Sequence, residues 1–181
     1  MAKWVLDTEH TQIGFTARHM MITTVRGHFT EFEGTIEFDP ANPGATSVET
    51  TIQMGSVSSG VADRDNHLRS PDFFNVEEFP TMTFKSTGVA VKGEDVATLT
   101  GDLTIRDVTK PVTLEVTYLG ESANPFTQVK TVGFEANTTI NREDFNLTWN
   151  QPLASGGVLV SKEIKIQLDV QAIPVEQPET A

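Results

Sequence analysis

A period of two runs through this sequence almost from end to end. Ile13, Phe15 and Ala17 alternate with Gln12, Gly14, Thr16 and Arg18, and Val48, Thr50, Ile52 and Met54 alternate with Glu49, Thr51 and Gln53. The pattern returns in Leu99, Gly101, Leu103 and Ile105, then in Val112, Leu114, Val116 and Tyr118. It recurs in Val132, Phe134, Ala136, Thr138 and Ile140, and last in Ile164, Ile166, Leu168 and Val170. Successive side chains of a strand point to opposite faces, so each stretch reads as a strand with one buried face. Between Val25 and Asp39 the phase slips near Thr30 and Glu31, because Phe29 and the set Phe32, Gly34, Ile36, Phe38 differ in parity. A bulge is expected there, with Gly34 relieving crowding at a sharp bend. Turn signals punctuate the strands, among them DPANPG (Asp39 to Gly44) and Lys92-Gly93-Glu94-Asp95. Most gaps are too short for the crossovers a parallel sheet requires. An all-β antiparallel barrel or sandwich of about eight strands remains, and closure into a barrel removes exposed edges. That barrel size can hold one small ligand.

Only the stretch from Ser59 to Ser86 departs from strand and turn. Val61 to Arg69 suits a helix, with Val61 and Leu68 seven apart on one face. Ser70-Pro71-Asp72 stops it, since a residue before proline is pushed out of the α region. The same triplet can begin another turn, with Ser70 as N-cap. Phe73, Phe74 and Phe79 follow within seven residues, and Met82, Phe84 and Ser86 then resume the strand pattern. The segment reads as a short helical connection around residues 61–75 that plugs one end of the β-structure. A sharper reading makes it a lid over a ligand cavity, and the two are compatible.

The length of 181 residues suits one domain, with residues 1–173 as the barrel and the acidic, proline-containing 174–181 as a frayed tail. There is no cysteine, hence no disulfide, thiolate metal site or cysteine nucleophile. Thirteen basic residues against 25 acidic ones give a net charge of −12. That balance argues against nucleic-acid binding and against lasting attachment to an anionic membrane. The opening MAKWVLDTEH lacks the apolar core of a signal peptide and no stretch has the length of a membrane span, so a cytoplasmic location without stable membrane insertion is expected.

Several motifs carry a family resemblance. Trp4-x-x-Asp7-x-x-His10-x-x-Ile13-x-Phe15-x-x-x-His19 and Gly27-x-Phe29-x-x-Phe32-x-Gly34 open the chain. Arg64-Asp65-x-His67-Leu68-Arg69-Ser70-x-Asp72-Phe73-Phe74 with Phe79-Pro80-Thr81-x-Thr83-Phe84 is the most specific piece. Gly101-x-Leu103-Thr104-Ile105-Arg106, Val108-Thr109-Lys110-Pro111-Val112 and Asn141-Arg142-x-Asp144-Phe145 follow in order. Together they resemble the YceI-like family of lipocalin-like polyisoprenoid-binding proteins. The resemblance implies an extended antiparallel barrel around a long apolar tunnel that holds an isoprenoid or other lipid chain. It also implies a homodimer. Asp107 and Asn146 stand where similar sequences often have glycine, so altered or left-handed turn conformations are expected at both.

The histidines His10, His19 and His28 recur every nine residues, but odd spacing along a strand puts successive members on opposite faces, and no metal site is expected. His19 continues the Ile13-Phe15-Ala17 face, either as a satisfied core group or as a hydrogen-bonding partner for a ligand head. Asp63, Asp65 and His67, flanked by Arg64 and Arg69, suit ion pairs and caps that fix the plug. An apolar tunnel can be lined by Phe15, Ile36, Phe38, Ile52, Met54, Met82, Phe84, Leu103 and Phe134, with Leu68, Phe73 and Phe74 from the plug. Met21, beside His19, can adapt to irregular ligands. For the head, a diphosphate would want Arg18, Arg26, Arg64 or Arg69, whereas a quinone needs only a neutral donor such as His19. The expectation is non-catalytic binding, sequestration or transport of an isoprenoid lipid or quinone, with no cofactor beyond that ligand. Two alternatives stand beside it. One is a hydrolase or isomerase using a polar pair such as His19 with Asp65, and the other is a dry-cored dimeric interaction module with no tunnel.

Overall fold

The computed structural model describes residues 2–175. Eleven strands form one sheet, antiparallel at every pairing. They are β1 (Ala2–Leu6), β2 (Gln12–His19), β3 (Thr23–Phe29), β4 (Phe32–Phe38), β5 (Ser47–Gln53) and β6 (Val57–Ser58). After one helix, α1 (Ala62–Arg69), come β7 (Thr81–Val91), β8 (Val96–Ile105), β9 (Val108–Ala123), β10 (Lys130–Asn141) and β11 (Glu163–Pro174). Strands β1, β4, β5, β7, β8, β9, β10 and β11 follow one another around a ring, which closes where β1 pairs with β11. This is a closed eight-stranded barrel. The β2, β3 and β6 ribbon continues the wall beside the first half of β11.

In place of the bulge expected at the phase slip, the chain breaks into two strands. β3 ends at Phe29 and β4 begins at Phe32, while the Thr30 amide donates to the Ser56 carbonyl and the Glu31 amide to the Ser56 hydroxyl. Two neighbouring strands break beside it, β1 from β2 across residues 7–11 and β5 from β6 across Met54–Ser56. The barrel wall is therefore creased across three adjacent strands. At Gly34 the fit is tight, since a Cβ would lie 2.8 Å from Leu6 Cδ1 and 3.0 Å from the Glu49 carbonyl oxygen. In the first break, Asp7 accepts from the Glu9 amide and Gln171, and Thr11 exchanges hydrogen bonds with Gln171.

β11 continues through Pro174, opposite Trp4, one residue into the segment expected to be tail. Residues 176–181 of that acidic tail lie outside the described residues. Of the two altered or left-handed conformations expected, Asn146 has φ 61°. The other falls on Arg106 (φ 56°) rather than Asp107: Ile105 pairs with Val108, and in this two-residue hairpin only the first loop residue has positive φ.

Candidate functional site

The two ends of the barrel are built differently. At one end the plug packs against the creased strands. α1 begins after Val61, which is its exposed N-cap residue, so Val61 and Leu68 do not share a helix face as expected. Asp65 is buried and accepts from both the amide and the hydroxyl of Ser59, which ties the helix to the strand before it. Arg64 donates to the Ser59 hydroxyl and carbonyl, and Arg69 to the carbonyls of Gly55 and Val57. The expected ion pairs of these arginines are thus hydrogen bonds to neutral acceptors. Within the plug, His67 Nε2 also hydrogen-bonds an Asp72 carboxylate oxygen at 2.9 Å. Ser70 does stop the helix, but its hydroxyl turns back to the His67 carbonyl instead of capping a new turn. Phe73 packs among His67 and Trp149, and Phe74 stacks on Phe29, which in turn meets Phe15.

Arg142 completes this end. It is 3% exposed, and its guanidinium donates to the carbonyls of Leu147, Trp149, Val160 and Ser161. Burial pushes its pKa below the ordinary value, and Glu143 opposes the shift. One cation thereby gathers the backbone of residues 147–161, a segment with little regular structure of its own.

The other end is open. A cavity of about 360 Å³ runs inside the ring and opens between the β4–β5 connection, at Pro40, Pro43 and Thr46, and the β7–β8 hairpin, at Gly93, Glu94 and Asp95. Its wall on β7 extends from Met82 to Val91. That is roughly 30 Å of strand, or about 23 Å along the axis at a tilt of about 40°. Strand parity changes on the way: a register shift between Ser86 and Gly88 lets Met82 and Phe84 point inward below it and Val89 and Val91 above it. Toward the mouth Phe38 meets Tyr118 and Phe134, each at 5.1 Å between ring centroids. β4 and β9 lie on opposite sides of the ring, so these aromatics bridge the lumen.

Six of the candidate ligand-binding residues line the cavity together: Phe38, Ile52, Met82, Phe84, Leu103 and Phe134. Ile36 joins them. Phe15, Met54, Leu68, Phe73 and Phe74 pack at the plugged end, with Met54 2% exposed. His19 closes β2 and bridges to Val160, outside the cavity lining. Met21 sits at the tip of the β2–β3 hairpin, 61% exposed, with φ 66°. Leu99, Leu114, Val112, Val116, Leu168 and Val170 line the cavity without having been singled out, though their parity marked them as inward. The three histidines are dispersed; His10 pairs with Asp7 in a surface turn, where the ligand atoms of Asp7, Glu9 and His10 lie within 4.8 Å of one another.

Barrel, plug and cavity can now be set beside known proteins. The model of the YceI-like domain matches residues 4–172. The chain belongs to the YceI-like family. It is 38% identical over 174 residues to protein YceI of Salmonella newport, covering 95% of this chain and 87% of that protein. The crystal structure of Burkholderia cenocepacia BcnA superposes with a TM-score of 0.81 at 25% identity, covering 92% of this chain and 98% of BcnA. A polyisoprenoid binding domain from Saccharophagus degradans shares the fold, with a TM-score of 0.70 at 15% identity over 97% of this chain and all of that domain. The shared fold agrees with the barrel described above.

Proposed function

We propose that this YceI-like protein binds and carries a long apolar chain, an isoprenoid lipid or quinone, without reacting on it. The observation that carries the reading is the cavity: a tube walled by Ile, Leu, Val, Met and Phe, closed at one end and open at the other. Each CH₂ buried there contributes about 0.8 kcal/mol, so roughly ten carbons supply ~8 kcal/mol gross, the scale of micromolar affinity before ordering costs. The structural relative described as a polyisoprenoid binding domain supports the same ligand class. A non-catalytic role is favoured by the lining, whose charged members are Glu94 and Asp95 at the mouth, while His19 lies outside it and Asp65 is engaged by Ser59. The dry-cored alternative requires no tunnel, and the cavity along the lumen speaks against it.

Titration of an apolar fluorescent dye, displaced by a long-chain quinone or polyprenol, tests the reading. Saturable one-to-one displacement is expected, and it should be lost in Ala97→Trp, which puts an indole into the lumen near the mouth. Equal binding by both proteins would place the dye elsewhere and sink the proposal. The homodimer and the cytoplasmic location belong to the same reading; sedimentation velocity and cell fractionation check them.

A further inference from the structure

The polar groups of the cavity bear on the head of the ligand. Building on the carrier reading above, we propose that the cavity selects by charge, accepting amphiphiles with neutral or cationic heads and rejecting anionic ones, with Glu94 and Asp95 setting the sign at the mouth. Among the described residues, no lysine, arginine or histidine lines the cavity. Its charged lining residues are those two carboxylates, both exposed in the β7–β8 turn. The remaining polar side chains on its wall, including Thr46, Thr50, Thr138 and Tyr118, carry neutral hydroxyls.

The cations that could bind a phosphate stand elsewhere. Arg64 and Arg69 donate to Ser59, Gly55 and Val57 at the plugged end, and Arg142 is saturated by carbonyls there. Arg106 reaches the Phe73 carbonyl and lies over the Phe79 ring. Arg18 and Arg26 belong to the β2–β3 ribbon, outside the cavity lining. Lys85, on the outer face of β7, pairs with Glu49, and Lys130, at the start of β10 and outside the cavity lining, pairs with Glu121. Lys92 shares the turn with Glu94 and Asp95 and offsets one of them, leaving that turn net negative. A phosphate or carboxylate head with its chain inside would rest against two carboxylates at the edge of a low-dielectric wall, which focuses their repulsion. A hydroxyl, quinone or ammonium head meets no such opposition.

The test compares ligands that share a chain. Geranylgeraniol, geranylgeranylamine and geranylgeranyl diphosphate would each compete with a neutral apolar dye at low and at high salt. The alcohol and the amine should displace the dye at least tenfold more tightly than the diphosphate, with the gap narrowing at high salt as the charges are screened. In the double variant Glu94→Lys, Asp95→Lys the gap should close or invert. A difference arising only from the solubility of the free ligands would persist in the variant, and that result overturns the inference. Equal affinity for alcohol and diphosphate at low salt overturns it as well, while leaving the carrier reading intact. If none of the three displaces the dye, the carrier reading itself fails and takes the charge selection with it.

Discussion

Arg142 and Gly101 show how single residues hold this barrel open at one end and shut at the other. Arg142 has four carbonyl acceptors; its work is to gather residues 147–161, so Arg142→Met leaves buried carbonyls without a donor. We expect a loss of about 3 kcal/mol in denaturant unfolding. The sign of its pH dependence follows from burial. A base whose pKa is lowered by folding destabilises the folded state at all pH values below that pKa. Arginine ionises so far above neutrality that this penalty is constant across the neutral range, and the stability difference from Arg142→Met should be flat there. Gly101 has the opposite task. The Phe84 ring lies across its backbone, and a Cβ would also come within 2.7 Å of the Lys85 carbonyl oxygen. Gly101→Ala should therefore push Phe84 from its place in the cavity wall, with a destabilisation of roughly 1–3 kcal/mol and weaker dye binding in the same titration.

At the scale of elements, plug and cavity are separate structures. Phe73 packs with His67 and Trp149 and does not line the cavity. Phe73→Ala should destabilise by about 3–5 kcal/mol in chemical unfolding, while the affinity of the folded protein for an apolar chain changes less than about threefold. A lid would behave the other way, losing affinity first. The period of two made the strands legible, and the parity slip at Thr30 and Glu31 located a true strand break. Alternation tells which face of a strand is inward but not how far along the barrel axis a residue sits. That is why Phe15 and Met54, inward by pattern, pack at the plugged end, whereas Phe84 and Leu103 line the cavity. Val89 and Val91 escaped for a different reason, because the register shift at Ser86 and Gly88 reverses the parity partway along β7. Gly88 within a strand was the signal that could have revealed it. The Arg142 clamp was visible only as a family motif, since its acceptors are backbone carbonyls and leave no side-chain pattern.

For the whole molecule, an eight-stranded ring, a plug at one end and an acidic mouth at the other amount to a container with one entrance. The net charge of −12 agrees in sign with that mouth. The central claim is that the lumen holds a long apolar chain. Native mass spectrometry of the purified protein, followed by organic extraction and identification of the extract, tests it most directly. A stoichiometric adduct with isoprenoid mass spacing, absent from Ala97→Trp, is the result expected. A mass of the polypeptide alone, with no uptake of added quinone or polyprenol, would contradict the account.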